Sequence, residues 1–530
     1  MLSWEYPPVS VGGLARHVSY LSRELARRGH LVDVVTQAPA GAPTAPASGR
    51  AAAADQLEET PVGKGLLRVW RRTAYPVWAP DFLHWVHLLN YGFLEAVLAL
   101  EAGRAVGDGP PDVVHAHDWL VAFAARAVKH ACRVPLVATI HATEAGRHNG
   151  IHDPWQRYIS EVEWWLTYEA WRVICCSDYM ESELAGQFQL PTDKIRVIPN
   201  GIDPRDVDAT AAGGDGPWTG GGAAAGEGGP GPAERRIPGL PDRPPSGGDD
   251  IPLAVARERF AQPGESIVLF VGRLVREKGV DTLLDALPAV LDRRPATVLV
   301  VAGTGPNEES LRRRVGEMGL GGRVHFTGYL DDRCRNLLLR WASVAVVPSY
   351  YEPFGLTALE AMAAGTPVVV SDTGGLGETV VHGRTGLKVP PANPGELAAA
   401  ILSLLEDREL AGRLAAAARA DVLERYSWRE VAARTEAVYA EVVRAARRAG
   451  FTPAGWTTGR QEEPLAAEAP GRETSAVEAP RAEASGAEAP GAEAQGTGGE
   501  DWDWESMRRR TRALVRGTEP IGRYNPPTTG

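Results

Sequence analysis

The stretch that decides the fold is Ile267-Val268-Leu269-Phe270-Val271, running into Gly272-Arg273-Leu274-Val275-Arg276-Glu277-Lys278-Gly279. Five apolar residues without polar alternation fit a strand covered on both faces, the signature of a parallel sheet flanked by helices. A glycine directly after the strand, then two cations five residues apart, suits a strand end that meets phosphate. Arg offers a planar fork and Lys a point charge. A solvated basic loop explains the spacing equally well.

Working outward, the same short apolar runs recur. Leu31–Thr36, Asp112–His115, Leu136–Ile140 and Val173–Cys176 precede residue 205, and Thr297–Ala302, Val344–Val347 and Pro367–Val370 follow residue 251. Helical stretches such as Leu14–Arg28 separate them. Strand–helix alternation predicts an α/β chain with two doubly wound, Rossmann-like domains, over 1–205 and 251–449. Ligands of such sheets bind beyond the strand carboxyl ends, so the expected site is the cleft between the domains. The opening residues leave almost no room for a first strand, and the expectation is that this strand is cut short.

Composition separates the rest. The chain of 530 residues carries 59 Gly and 41 Pro, close to a fifth, against about 12% in average proteins. Residues 206–250 hold 13 Gly and 7 Pro. Such a segment buries too little apolar area to offset its chain entropy and reads as a disordered insert. The tail, 450–530, repeats Glu468-Ala-Pro470, Glu478-Ala-Pro480 and Glu488-Ala-Pro490 without a hydrophobic face. An Ala/Pro-rich patch near 38–56 reads as a surface loop. The net charge of −11 argues against a nucleic-acid partner. Four cysteines without a C-x-x-C pair argue against a zinc ribbon or disulfide scaffold. No 18-residue apolar run and no signal peptide is read, so a soluble cytoplasmic protein is expected.

Several positions carry chemistry. Gly12-Gly13 precedes the first helix, where glycines let backbone N–H groups approach a ligand; a simple tight turn is as good a reading. Glu352-Pro353-Phe354-Gly355-Leu356-Thr357 leads into a helix expected to start near Leu356. The N–H groups of Leu356 and Thr357 would face an anion. Glu352 and Glu360 flank that helix start and suit hydrogen bonds from sugar hydroxyls. Asp118, after His115 and His117, and His141 stand at two successive strand ends. A metal site is not expected, because no H-x-x-x-H or D-x-D stands at a strand end. Asp206-Val-Asp208 and Asp501-Trp-Asp503 fall in segments read as flexible. Trp164, Tyr168 and Trp171 fit one helix face and read as core. Trp155, Tyr158 and Trp165 lie off that stripe and are the better sugar-stacking candidates.

With these residues in place, the sequence resembles the retaining GT-B glycosyltransferases, family 4, in its glycogen-synthase-like group. The matching pieces are Trp4-Glu5-Tyr6-Pro7-Pro8 with Gly12-Gly13, His115-Ala-His117-Asp118-Trp119, Thr139-Ile-His141, Pro199-Asn200-Gly201-Ile202-Asp203, Gly272–Gly279, Phe326-Thr-Gly328-Tyr-Leu330 and the pair Glu352 and Glu360. The resemblance covers about 1–205 and 251–447. It implies two Rossmann-like domains facing across a cleft, and a final helix, near Ser427 to Ala446, crossing back to the first domain. It implies a hexosyltransferase moving a glucosyl unit from ADP- or UDP-glucose to a glycan acceptor, as an α-glucan synthase does, without cofactor or metal. By resemblance Arg273 and Lys278 bind the diphosphate, Glu352 and Glu360 the donor hexose and ribose, and Gly355, Leu356 and Thr357 lie beside them. Gly328, Tyr329 and Leu330 lie near the base, and His141 lies close to the transferred sugar. Bacterial glycogen synthases carry Lys-x-Gly-Gly at the first loop; Ser10-Val11-Gly12-Gly13 stands here. Rival expectations are a lipid or small-molecule acceptor, a GT-B sugar-nucleotide epimerase, and a non-catalytic carbohydrate-binding scaffold.

Overall fold

The computed structural model describes residues 1–10, 12–39, 57–74, 79–103, 110–203 and 257–453. The insert at 206–250, most of the 38–56 patch and the repeats of the tail lie outside these residues, as do both D-x-D sequences.

The first half is built on β1 (Leu31–Gln37), β2 (Leu57–Val62), β3 (Gly65–Arg72), β4 (Val114–His117), β5 (Leu136–Thr139), β6 (Arg172–Cys175) and β7 (Ile195–Val197). Strands β4 to β7 run parallel in sequence order, β1 pairs parallel with β3, and β2 forms an antiparallel hairpin with β3. Leu2 joins the two pieces by bridging Val35 and Ala116. Its N–H donates to His115 O at 2.8 Å, and its carbonyl accepts from His117 N at 3.0 Å. Residues 1–3 therefore occupy the central place expected of a first strand. Strand β4 begins two residues later than Asp112, which makes His117 its last residue and Asp118 the first beyond it.

The second half holds β8 (Ser266–Val271), β9 (Thr297–Ala302), β10 (Val324–Gly328), β11 (Val344–Val347), β12 (Val368–Ser371) and β13 (Leu387–Val389). All run parallel, in the order β10-β9-β8-β11-β12-β13. Counted from β8 this is 3-2-1-4-5-6, the doubly wound arrangement. Ile267, Val268, Leu269 and Phe270 are buried, which is why the strand carries no polar alternation.

The helices of the first half are α1 (Gly13–Arg27), α2 (Phe82–Gly103), α3 (Ala122–Cys132), α4 (Glu144–His148), α5 (Pro154–Glu169) and α6 (Asp178–Phe188). Those of the second are α7 (Val280–Arg293), α8 (Glu308–Glu317), α9 (Asp332–Trp341), α10 (Leu356–Ala363), α11 (Gly374–Thr379), α12 (Pro394–Glu406), α13 (Arg408–Arg425) and α14 (Trp428–Arg448). Residues Phe82–Leu100 of α2 are long and apolar enough to cross a bilayer, but half of that stretch is buried within the fold, with Leu89 and Phe93 fully enclosed.

Helix α14 returns to the first half, as the resemblance implies. Trp428, Val431, Val438 and Val442 share a core with Leu14, Val18 and Leu21 of α1. Glu441 accepts from Arg196 at 2.7 Å and from Arg172. Gly450–Pro453, assigned to the tail on composition, also dock: Arg133 donates to Gly450 O at 2.8 Å and stacks over Phe451.

One expectation about packing is overturned. Trp164 and Tyr168 are exposed, at 41% and 54%, with their rings stacked on each other. Val162 and Leu166, with Ile159 packed beside them, take the core instead. Helix α5 carries two apolar stripes, and the slimmer aliphatic one fills the space against α3 and β5. Trp155 is exposed as expected, whereas Tyr158 and Trp165 are half-buried against His87 and Phe123.

Candidate active site

In an open parallel sheet, the loops on either side of the point where strand order reverses part from each other and leave a crevice. In the second half that point lies between β8 and β11. In the first it lies between residues 1–3 and β4. Gly12, Gly13, Asp118, Arg273, Lys278, Glu352 and Gly355 stand on or at the ends of these loops, whereas His141 follows β5, Gly328 ends β10, and Leu356, Thr357 and Glu360 belong to α10.

After β8, a single 3-10 turn over Arg276–Lys278 ends at Gly279, whose φ of +64° stops the turn. Lys278 Nζ donates to Glu352 Oε2 at 2.7 Å, across the switch point. Ser349 Oγ lies 3.3 Å from the same oxygen. Arg273 is not drawn into this pair; its side chain is 45% exposed and lies 3.5 Å from Glu277. Gly355 opens α10 in the left-handed region, φ +99°, with no side chain capping the helix, so the first N–H groups, those of Leu356 and Thr357, stand at an uncapped positive end.

Glu360, buried one turn into α10, meets Arg16 of α1 and lies 3.6 Å from Arg335 Nε. Gly13 is pressed so close to α10 that a Cβ on it would stand 2.8 Å from Leu356 Cδ1. Gly12 N donates to Glu5 Oε2 at 3.1 Å. The first-half glycine loop and the second-half helix start are therefore one site. Gly328 has φ +70° and accepts from Gly303 N at 2.9 Å; beside it Tyr329 is half exposed and Leu330 half-buried.

On the first-half side, three imidazoles converge: His17 of α1, His117 ending β4, and His141 beyond β5. His117 Nδ1 and His141 Nε2 are 3.3 Å apart, and the His17 ring meets that of His141 edge-on at 4.7 Å. His17 Nδ1 and Asn200 Oδ1 are 2.6 Å apart, which makes Nδ1 the protonated nitrogen. Burial, with His141 beside it, holds His17 down at about 3, and burial, with Arg147 nearby, does the same for His141. Both rings are neutral at physiological pH. Among the described residues, neither His17 Nε2 nor His117 Nε2 has a hydrogen-bond partner. The sequence holds no metal-ligand spacing here, yet one nitrogen from each of the three rings lies within 4.8 Å of the other two. This set could hold a divalent transition metal.

Asp118 has a strained backbone, φ +61°. Its Oδ1 accepts from His141 N at 2.8 Å, so it fixes the start of the His141 loop. Burial pushes Asp118 up to about 6, opposed by Arg147 and by that N–H. Glu163 of α5 accepts from Glu144 N with both oxygens at 3.0 Å, and burial pushes it up to about 8.

Sequence reasoning missed Arg16, His17, Arg147, Glu163 and Tyr351. Arg16 and His17 sit near the start of a helix that reads as ordinary amphipathic cover, and only their place three and four residues after Gly13 hinted at a site. A crevice of about 20 Å³, lined by Arg16, His17, Tyr20, Leu356, Glu360 and Trp428 among others, joins the two halves. A larger hollow of about 310 Å³, lined by Arg276, Asp281, Asn307, Ser310 and Arg314 among others, contains none of the candidate residues.

Comparison with known proteins places the chain in a family. Residues 255–421 match the model of glycosyl transferases group 1, and residues 11–206 that of Glycosyltransferase Family 4. The chain is 37% identical over 451 residues to the glycogen synthase of Mycobacterium tuberculosis, covering 84% of this chain and 95% of that one. It is 31% identical to the D-inositol 3-phosphate glycosyltransferase of Corynebacterium jeikeium, covering 84% and 95%. Among solved structures it is similar to the sucrose-phosphate synthase of Thermosynechococcus elongatus, with a TM-score of 0.63 and 26% identity over 84% of this chain and 98% of that one.

Proposed function

The chain belongs to the family 4 glycosyltransferases, and from that premise we propose that it moves a glucosyl unit from ADP- or UDP-glucose to the end of an α-glucan, with retention of configuration. The observation that carries this reading is the meeting of Lys278 with Glu352 and of Arg16 with Glu360, at the uncapped start of α10. Two cations and a helix N-terminus suit a diphosphate, and two carboxylates suit sugar hydroxyls.

The donor diphosphate lies against Lys278, Arg273 and the N–H groups of Leu356 and Thr357. Glu352 accepts from the hexose and Glu360 from the ribose, while the base lies by Gly328, Tyr329 and Leu330. Glu360 is engaged by two arginines, so a ribose hydroxyl must share it with them. The bond from C1 to the phosphate oxygen breaks and one from C1 to the acceptor oxygen forms on the same face. The acceptor proton passes to the departing phosphate. Stabilising that leaving group is the main catalytic term. Neutral His141, on a loop held by Asp118, offers the sugar a hydrogen bond rather than a charge.

A small phosphorylated acceptor is the second reading, favoured by the similarity to a D-inositol 3-phosphate glycosyltransferase. Radiolabelled ADP-, UDP- and GDP-glucose are incubated with the protein and either glycogen or a phosphorylated cyclitol or hexose. Label is expected in polymer. Label only in the small acceptor selects the second reading, and no transfer from any donor overturns both.

A further inference from the structure

Tyr351 stands one residue before Glu352, yet its side chain belongs to the other half of the molecule. The ring is 6% exposed and lies on Gly146 of α4; a Cβ on that glycine would overlap the phenol ring. The hydroxyl accepts from Thr143 N at 3.2 Å and stands 3.2 Å from Glu183 Oε1, to which it donates. Thr143 Oγ1 also binds Glu183 and accepts from Gly146 N at 2.9 Å. Burial, reinforced by Glu183, raises the phenol well above its ordinary range, so it keeps its proton and remains a donor.

Three connections make this seat more than packing. Thr143 is two residues beyond His141, so the hydroxyl holds the loop that carries that imidazole. Both Tyr350 N and Tyr351 N donate to Glu277 O, at 2.8 and 3.4 Å, which ties the same backbone to the loop of Lys278. On the far side of Glu352, Pro353 O accepts from Ser177 Oγ at 2.6 Å. Glu352 is therefore flanked on both sides by contacts that exist only when the two halves are together. Separating them would free Tyr351 and Pro353 at once and release the constraint on both Glu352 and the His141 loop.

We propose that Tyr351 is a positioning residue that couples closure of the two halves to the placement of Glu352 and His141, and so sets how much donor reaches the acceptor rather than water. This rests on the reading of the site as a nucleotide-sugar transferase. A closed site excludes water, and a latch that fails lets water take the acceptor's place. Donor and water then give free sugar and nucleoside diphosphate, the acceptor being unchanged.

The test uses the full chain with radiolabelled ADP- or UDP-glucose, whichever the wild type uses. Nucleoside diphosphate release and label in the acceptor are measured together. Tyr351→Phe keeps the ring on Gly146 and removes the hydroxyl contacts to Thr143 N, Glu183 and Met180 Sδ. It is expected to lower kcat about fivefold to tenfold, to leave the donor KM within about twofold, and to raise hydrolysis relative to transfer several-fold. Gly146→Ala, which displaces the ring, should shift the ratio the same way. If that variant fails to fold, Tyr351→Phe with an unchanged melting temperature still decides. Wild-type kcat and hydrolysis ratio in Tyr351→Phe would overturn the proposal. Should the wild type turn over no nucleotide sugar, the transferase reading fails separately, and the latch is read by small-angle scattering without ligand. Expansion of Gly146→Ala or Tyr351→Phe relative to wild type supports it, and identical scattering curves overturn it.

Discussion

Lys278 Nζ lies 2.7 Å from Glu352 Oε2 and links the loop after β8 to the loop after β11. Both side chains are mostly buried, at 21% and 14% exposure, so the attraction is stronger than at an open surface. Lys278→Ala removes a cation that the proposed function assigns to the donor diphosphate and leaves Glu352 without its countercharge. Donor KM is expected to rise and kcat to fall, each about tenfold. Initial rates across a range of donor concentrations test this; unchanged rates at limiting and saturating donor would contradict it.

Glu352→Gln keeps the shape of the side chain but not its charge. Loss of a preorganised electrostatic partner typically costs about 10²–10³ in kcat, and that loss is expected with the melting temperature within a few degrees of wild type. A variant as active as the parent would remove Glu352 from the catalytic assignment.

Glu163 gives a pH dependence with a definite sign. Its carboxyl, ordinarily near 4.5, is raised to about 8 by burial. Between these values the folded protein holds a proton that the unfolded chain does not, so this group's contribution to stability is present below pH 4.5 and is lost as pH rises through 8. Glu163→Gln abolishes that loss while still accepting from Glu144 N. Thermal melts should place the variant above wild type at pH 8.5 and converge on it near pH 4.5. Parallel curves for the two proteins would refute the buried neutral acid.

Trp428 joins the final helix to the first half. Its ring stacks on Tyr20 at 5.3 Å and fills the space left by Gly201, where a Cβ would stand 2.7 Å from it. Trp428→Ala is expected to cost about 3–5 kcal/mol, read from the midpoint of denaturant unfolding. A shift worth under 1 kcal/mol would mean that α14 is held by its ion pairs instead.

The strands were legible because burial on both faces leaves them without polar residues; Ile267–Val271 and Thr297–Ala302 lie where the apolar runs put them. Glu352, Glu360, Gly13 and Leu356 were legible for another reason: glycine and proline mark the loops that lead into α1 and α10, at whose starts these residues cluster. The β2–β3 hairpin escaped notice because Glu58 and Glu59 lie on its exposed strand. Arg16, His17, Glu163 and Tyr351 were hidden because their roles depend on contacts between segments tens to hundreds of residues apart, which no local pattern encodes. Trp164 and Tyr168 misled for the opposite reason: a clear helical stripe of large apolar residues pointed inward in the sequence and outward in the fold.

Ile202 and Ser427 form a parallel bridge, with Ile202 N donating to Tyr426 O at 2.7 Å, and α14 then covers α1 and seats Tyr439 against His115. The first half is therefore not one stretch of chain but two, 1–203 and 428–453, with the whole second half inserted between them. A ribosome releases the first piece long before the second exists, so the face of α1 that bears Leu21 and Val18 must wait uncovered until synthesis is nearly complete. A fragment ending near residue 205 would inherit that bare face and is expected to aggregate, whereas 428–453 supplied in trans offers a way to complete it.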